Sequence, residues 1–308
     1  MIRYLRSLLP FMLSLTGFFV FAQPANVANI AKLTGDTLMA ARSDTAWHAG
    51  GFVNLNFSQV SLSNWAPGGE SSYSVNGSFN GFANYDKGRI RWDNSLLLSY
   101  ALQKTASNGV RKTDDQIDFT SKFGYRLKKH VKWYYSALLN FKSQFANGYD
   151  YPEKPVISKF MSPAYVTSSV GITWRPTDYF EVLFSPVTSK ITFVLDDSIV
   201  GSNGRYGVEP GNNSRSEVGA YLNARFRKEI MTNVTLASRL ELFDNYTDKV
   251  ISNRDNVDVN WETGFLMKVN KLITASIVFQ VVYDDNVLSD TQFRQVLGVG
   301  LGYKFANR

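Results

Sequence analysis

The sequence contains no cysteine and only two histidines, His48 and His130, among its 308 residues. The lack of cysteine excludes disulfide bridges, thiolate metal sites and a lipid carried on an N-terminal cysteine. No G-x-S-x-G elbow, phosphate-binding P-loop or H-E-x-x-H zinc segment occurs either. We therefore expect a protein that is not an enzyme and that needs no cofactor.

The charge of the chain gives no nucleic-acid signature. Lys and Arg number 33 against 26 Asp and Glu, so the net charge is +7 and the isoelectric point is near 9.3. The basic residues are spread along the chain, whereas a nucleic-acid-binding surface needs them in a patch or stripe. The sequence therefore argues against nucleic acid as a partner.

One long apolar segment is present, and it lies at the N-terminus. Basic residues precede an apolar stretch from Leu8 to Phe21, and Ala22 offers a small residue at which cleavage can occur. This order of basic, apolar and small residues is typical of a secretory signal peptide. It predicts that residues 1–22 are removed after export.

From Trp47 onward, apolar and polar side chains alternate. Near the C-terminus, for example, Leu301 and Tyr303 share one face, while Gly300 and Gly302 share the other. Side chains at positions i and i+2 point to the same side of a β-strand, so the pattern indicates strands with one apolar and one polar face. The chain thus divides into a signal peptide (1–22), a flexible or short helical periplasmic leader (23–46) and a transmembrane β-barrel (47–308).

The same alternation predicts twelve strands. At roughly 9–15 residues each, they suit tilted membrane strands, which need about 9–11 residues. The mean hydropathy of −0.18 and the 14% aromatic content also suit a barrel with lipid-facing and lumen-facing sides. The predicted fold is all-β, an antiparallel transmembrane outer-membrane β-barrel of about 12 strands. The strands are expected near 50–62, 72–85, 89–102, 115–127, 131–146, 164–175, 179–194, 215–228, 231–245, 257–269, 273–283 and 293–305.

The predicted connections alternate between short turns and longer loops, as in outer-membrane barrels. An even number of strands places both termini on the short-turn side, which is the periplasmic side of such a barrel. The expected location is therefore the bacterial outer membrane, with both termini periplasmic. Longer loops are predicted near 103–114, 146–163, 195–214 and 246–256, with modest ones near 63–71 and 285–291.

Aromatic residues cluster beside the predicted short turns. Tyr and Trp have apolar bodies and polar tips, which suits the level of the lipid headgroups. We interpret them as a periplasmic aromatic girdle. Its predicted members are Tyr85, Trp92, Tyr125, Trp133, Trp174, Tyr179 and Tyr303.

Charged residues alternate with apolar ones and are therefore assigned to the lumen. Facing lipid at depth costs about 2–4 kcal/mol for a Lys or Arg. They form either a paired structural network, with Glu217 beside Arg239 for example, or a polar permeation path or ligand site. The predicted lumen charges are Asp93, Asp118, Lys122, Arg175, Arg225, Arg239, Glu241, Glu262 and Arg294, with Lys132, Lys142, Glu181, Glu217, Asp258, Lys268 and Lys304 on the same face.

Pro186 interrupts the predicted strand 179–194. Proline has no N–H to donate to a neighbouring strand, so this position predicts a bulge or an opening in the barrel wall. An opening here is compatible with the sideways release of an apolar molecule.

Several segments, taken together, carry a resemblance to a known family. They are 47–51, Asn54, 58–69 (Ser-Gln-Val-Ser-Leu-Ser-Asn-Trp-Ala-Pro-Gly-Gly), 112–115, 144–149, 162–165 and 185–188. This set resembles the uncharacterised outer-membrane family labelled domain of unknown function 3078, found in Bacteroidota. The resemblance covers most of the chain after residue 47. It implies a barrel without an established activity and supplies no site residues.

Three functions remain open from the sequence. The first is a conduit for small solutes, and the second is a non-conducting accessory subunit of a larger outer-membrane secretion or assembly complex. The third is a transporter of lipid or another apolar molecule. Outer-membrane lipid is the expected partner, with other outer-membrane proteins or lipoproteins as further candidates. A lipase-type barrel is not expected, because neither histidine is predicted on the lipid-facing wall, where it would have to activate a serine.

Overall fold

The computed structural model describes residues 46–61, 71–128, 131–150, 155–201, 204–248, 256–270 and 272–306. The signal peptide, the leader up to residue 45 and His130 lie outside these ranges, so what the sequence suggests for them stays a prediction. No helix within these ranges combines the length and the apolar character needed to cross a membrane.

Twelve long strands close into one antiparallel barrel. The ring closes between the first and the last strand, where Val53 pairs with Tyr303 and Leu55 with Leu301. The predicted all-β barrel of twelve strands is confirmed. Its strands are β1 (Trp47–Val60), β2 (Ser72–Lys87), β3 (Ile90–Thr105), β4 (Gly109–Arg126), β5 (Trp133–Ser143), β8 (Ala164–Thr177), β9 (Phe180–Phe193), β10 (Ser214–Met231), β11 (Val234–Asn245), β12 (Val257–Lys268), β13 (Ile273–Asp284) and β14 (Leu288–Ala306).

Three smaller elements lie in the connections. The strands β6 (Gly148–Tyr149) and β7 (Val156–Ser158) pair as a separate two-stranded sheet. The single helical turn α1 (Asp197–Val200) follows β9, and the Asp196 side chain caps it by accepting a hydrogen bond from the backbone N–H of Ser198. All three elements belong to loops at the same end of the barrel.

The outer face of the barrel is apolar. In β5, Tyr135 and Leu139 are 59% and 43% exposed, whereas Ser136 and Leu138 are buried. Soluble proteins rarely expose a continuous apolar surface, but a membrane barrel requires one. The barrel is therefore of the membrane-spanning type. Other exposed apolar side chains on the strands are Phe57, Val75, Phe123, Val170, Phe184, Val218, Trp261, Phe293, Leu297 and Val299.

The two ends of the barrel differ in their connections. Short turns and both termini of the barrel lie at one end (the short-turn end), and the longer connections lie at the other (the loop end). The loops predicted at 103–114 and 285–291 are wrong, because the strands continue to tight turns at 106–108 and 285–287. Residues 111–115 are polar on both faces, as expected for a strand extending past the lipid, so alternation is lost there. Gly109, with φ of 67°, permits the tight reversal.

Pro186 lies in a bulge of β9, as its missing N–H predicts. The register of β9 shifts against β8 opposite Gly171 and against β10 opposite Ala220. The hydroxyl of Ser185 lies 2.8 Å from the carbonyl oxygen of Val170 and bridges the interrupted ladder. The alternative of an opening in the wall is not supported here, because side-chain hydrogen bonds replace the missing backbone ones.

Gly171 lies where the bulge brings two backbones together. A Cβ atom at this position would lie 2.0 Å from the carbonyl oxygen of Phe184. We expect Gly171→Ala to lower the free energy of unfolding by about 1–3 kcal/mol, because the backbone has to shift. Urea unfolding in detergent micelles, followed by tryptophan fluorescence, measures the loss.

Gly77→Ala is the matched control, because a Cβ atom at Gly77 meets nothing within 4 Å. Its effect on the free energy of unfolding is expected to stay within about 0.5 kcal/mol. Equal losses at Gly77 and Gly171 would contradict the close approach at the bulge.

Candidate functional site in the barrel lumen

The lumen is lined by the alternate side chains that point inward from each strand. Residues in register on neighbouring strands share a face, so Arg225, Arg239 and Glu262 mark the inner face of β10, β11 and β12. The structure places all nine of the main predicted lumen charges on this inner face. They are Asp93, Asp118, Lys122, Arg175, Arg225, Arg239, Glu241, Glu262 and Arg294.

Ion pairs cross the lumen between strands that are not neighbours. Arg239 on β11 lies 3.8 Å from Asp118 on β4, and these two strands are five places apart in the ring of twelve. The carboxylate of Glu241 lies 3.4 Å from Arg239. The amide of Asn140 donates a hydrogen bond of 2.7 Å to Asp118. This network joins opposite walls of the barrel.

Two further pairs bridge the lumen. Lys142 on β5 donates to Glu241 on β11 at 3.3 Å, and Lys122 on β4 contacts Glu181 on β9 directly. A direct contact between walls leaves no water-filled gap along the line that joins them. The middle of the lumen is therefore crossed by side chains.

An apolar cluster adds to this constriction. Leu138, Leu183, Tyr221 and Phe243 pack together inside the barrel and are almost fully buried. The phenol of Tyr221 donates a hydrogen bond of 3.1 Å to Glu241, which ties the cluster to the ionic network. The lumen thus narrows at a layer that is partly apolar and partly ionic.

A chamber of about 420 Å³ lies on the loop side of this layer. Tyr221 and Phe243 of the apolar cluster form part of its wall, and Tyr206 reaches it from the loop that follows β9. Its lining mixes aromatic rings with ionised groups of both signs. Further lining residues are Asn140, Lys142, Tyr165, Lys190, Glu241, Asp258, Asn260, Tyr283 and Asp284.

Loops at the loop end pack into a small core of their own. Val194, Ile199, Val200 and Val208 are buried against one another. The phenol of Tyr206 donates a hydrogen bond of 2.8 Å to the carbonyl oxygen of Ile157, which joins the two longest described connections. This packing holds Tyr206 over the chamber.

An ion pair also fixes these loops. Lys159 contacts Asp196 directly. Hydrogen bonds from Lys159 and from Ser198 keep the pKa of Asp196 below its ordinary value. Asp196 is therefore ionised at neutral pH and available to the pair.

Carboxylates gather around one ammonium group at the loop end of the lumen. Lys190 lies 2.8 Å from Asp258, 3.0 Å from Asp284 and 3.9 Å from Glu217. Carboxylate oxygens of Asp258, Asp284 and Asp285 lie within 4.8 Å of one another, which is a spacing that suits a cation. The Lys190 ammonium supplies positive charge to this group, and the carboxylates outnumber it.

The opposite wall of the lumen is neutral and polar. Asn54 and Asn56 are 1% and 6% exposed, and neither side-chain amide has a hydrogen-bond partner. The glycines of β14 make room for these side chains, since a Cβ atom at Gly300 would lie 1.6 Å from the amide oxygen of Asn56. Charge is thus sparse along β1, β2 and the glycine-rich middle of β14, whose inward-facing Arg294 and Lys304 lie toward its two ends.

All seven residues predicted for the aromatic girdle lie at the short-turn end. Trp47 stacks edge-on against Tyr85 at 5.3 Å and lies 5.9 Å from Trp92. Trp133 and Trp174 stack at 6.0 Å on neighbouring strands. The remaining members, Tyr125, Tyr179 and Tyr303, contact Arg89, Phe226 and Phe305 respectively. The headgroup role of this belt stays a prediction.

The suggested pairing of Glu217 with Arg239 is wrong. Glu217 pairs with Arg215 at 2.8 Å, near the loop end, whereas Arg239 lies deeper in the barrel beside Asp118. The sequence analysis also missed Lys190 and the apolar cluster. Leu138 was detectable, because it alternates in phase with the predicted lumen residue Lys142.

Two family models match parts of the chain, and both describe uncharacterised families. The one described as "Protein of unknown function (DUF3078)" matches residues 57–149, which confirms the resemblance over that part of the chain. The one described as "Protein of unknown function, DUF481" matches residues 189–306. The comparison with curated proteins gives no match.

Solved barrels resemble this one at low sequence identity. The translocator domain of autotransporter NalP from Neisseria meningitidis is 8% identical, with a TM-score of 0.31, over 86% of this chain and 90% of that one. Outer membrane phospholipase A from Escherichia coli is 12% identical, with a TM-score of 0.32, over 86% of this chain and 95% of that one. The outer membrane channel DcaP of Acinetobacter baumannii is 10% identical, with a TM-score of 0.29, over 87% of this chain and 99% of that one. Likenesses at this level carry no argument about function.

The cross-lumen network makes a prediction about stability. Arg239→Met leaves the carboxylates of Asp118 and Glu241 without their shared cation in the barrel interior. We expect the free energy of unfolding to fall by about 3 kcal/mol, measured by urea unfolding in micelles.

Arg294→Met is the control for this experiment. Arg294 also pairs with an aspartate, Asp114 at 3.5 Å, but its side chain is 39% exposed. Its loss is expected to cost under about 1 kcal/mol. A cost for Arg239→Met no larger than that for Arg294→Met would mean that water fills the lumen at Arg239.

Proposed function

We propose that this protein is an outer-membrane β-barrel that takes small polar solutes into its lumen from the loop end and passes them through a side-chain constriction. The observation that carries the proposal is the chamber of about 420 Å³ inside a closed barrel. Ligand sites are typically concave, with apolar walls and a few converging polar groups, and the chamber has both. No enzymatic activity forms part of this proposal.

The orientation follows from the even number of strands. Both termini of the barrel lie at the short-turn end, which we place in the periplasm, so the chamber opens toward the outside. The apolar outer face makes outer-membrane lipid its surrounding partner. Other envelope proteins that contact the barrel would meet either its loops or its short turns.

The mixed lining of the chamber favours small solutes that carry both an apolar part and a charged or polar group. Tyr165, Tyr221 and Tyr283 offer ring faces and hydroxyls. Lys142 and Glu241, which pair across the lumen, offer charges of both signs at the chamber wall. A solute whose own charged groups pair with Lys142 and Glu241 would separate the two side chains and could then pass between them.

A non-conducting accessory barrel is the second candidate, and one observation favours it. Ion pairs and the apolar cluster cross the middle of the lumen, so side chains obstruct the path of a solute at that layer. A barrel of this kind would act through contacts with partner proteins. The conductance experiment below separates the two candidates.

The third candidate function is the lateral release of an apolar molecule through the barrel wall. An apolar groove of about 460 Å³ lies on the outer wall at the bulge, lined in part by Val170, Phe184 and Pro186. The hydroxyl of Thr188 donates to that of Ser169 at 2.9 Å, which keeps β8 and β9 joined beside the bulge. The groove therefore faces lipid while the wall stays closed, which favours the other two candidates.

Single-channel conductance tests the proposal. Because side chains cross the lumen, we expect the refolded mature protein to show only a small current in a planar bilayer, carried when these contacts open transiently. Leu138→Ala combined with Phe243→Ala removes much of the apolar cluster and should raise the conductance several-fold. Circular dichroism checks that the variant retains the barrel.

Leu139→Ala is the matched control, because Leu139 is the next residue on β5 and faces lipid. It should leave the conductance unchanged. Silence in the wild type and in the Leu138→Ala, Phe243→Ala double variant, with both folded and inserted, would overturn the conduit and favour the accessory barrel.

A further inference from the structure

The short-turn half of the lumen holds an excess of buried positive charge. Lys122, Arg175 and Arg225 surround the single carboxylate of Glu181. Arg225 is the register partner of Glu181 on the neighbouring strand, and Lys122 reaches the same carboxylate from across the barrel. All four residues are at most 8% exposed. Three cations thus share one buried anion.

Arg175 is the least satisfied member of this group. Its side chain is only 7% exposed, and its buried Nη1 atom has no hydrogen-bond partner. Its nearest acidic partner is Asp178 at 3.7 Å, whose side chain is 95% exposed in the turn. A guanidinium carries five N–H groups arranged to bind an oxyanion, and an unmatched buried one is costly.

The neighbouring carboxylate does not remove this excess. Asp93 accepts a hydrogen bond of 2.8 Å from Arg91, and Arg91 also pairs with Asp86 at 3.0 Å. Asp93 is also the register partner of Lys122 on the neighbouring strand. Arg91, Asp86 and Asp93 carry one net negative charge, so together with Lys122, Arg175, Arg225 and Glu181 they leave an excess of one positive charge.

The short-turn mouth carries further positive charge. Three basic residues on three different strands project toward it, namely Arg227, Lys268 and Lys304. Arg227 and Lys268 lie close enough to Lys304 to repel its ammonium group. The loop end has the opposite character, since the carboxylates of Glu217, Asp258, Asp284 and Asp285 outnumber their neighbours Lys190 and Arg215 there. An anion would therefore be drawn in at the short-turn mouth and repelled at the other.

We propose that the cluster of Lys122, Arg175, Arg225 and Glu181 is a binding site for a small oxyanion, such as a phosphate or carboxylate group, that enters from the short-turn mouth. The oxyanion would accept hydrogen bonds from the free Nη1 of Arg175 and share the cations that Glu181 now holds alone. This site rests on the barrel fold and is independent of whether the lumen conducts.

Calorimetric titration with inorganic phosphate tests the site, using the whole mature protein in detergent micelles at constant ionic strength without chloride. The wild type should bind phosphate. Glu181→Gln removes the competing carboxylate and should tighten binding by about tenfold, whereas Arg175→Gln should weaken it by a similar factor. Opposite effects of the two variants are specific to an anion site.

Arg215→Gln is the control, because Arg215 is also a paired inward-facing arginine but lies at the loop end beside Glu217. It should leave phosphate affinity unchanged. Circular dichroism checks the fold of each variant, and Arg175→Gln remains decisive if Glu181→Gln does not fold.

Absence of phosphate binding in the wild type, or equal weakening by Arg175→Gln and Arg215→Gln, would overturn the inference. A barrel that conducts but binds no phosphate would contradict only the oxyanion site. A barrel that binds phosphate but never conducts would contradict only the proposed conduit function.

Discussion

Contacts between ionised side chains across the lumen set the character of this barrel. Charged residues cannot face lipid without a large cost, so alternation drives them inward. Once inside, they are stable only when opposite charges reach them, and the reach of Lys142, Arg239 and Lys122 spans three to five strands of the ring. The same contacts that stabilise the interior also close it. In the proposed conduit, a solute would pass by taking the place of one partner.

Much of the wall was predictable from the sequence, because apolar and polar residues alternate with a period of two in a strand that has one lipid-facing side. All twelve strands were found in this way, and Pro186 marked the bulge through its missing N–H. The failures lie where that constraint ends. At 103–114 the chain extends past the lipid, both faces become polar, and the alternation that reveals a strand is lost even though β3 and β4 remain paired there.

The inner face was predictable, but its pairing was not. Alternation assigns Glu241 and Lys142 to the lumen, yet they are 99 residues apart, and their contact depends on the register and closure of the whole barrel. Leu138 and Leu183 were missed for a different reason, since apolar residues were assigned to the lipid side although these two alternate in phase with Lys142 and Glu181. The axial separation of charge, with cations toward the short turns, likewise required the register of every strand.

A double-mutant cycle between Lys142 and Glu241 tests most directly whether the lumen is closed by contacts between its walls. Lys142→Met, Glu241→Gln and the double variant are unfolded in urea beside the wild type. If the side chains meet across the lumen, the coupling energy should be about 1 kcal/mol or more. A coupling energy within about 0.3 kcal/mol of zero would mean that water separates the two walls, and the barrel would then be an open pore.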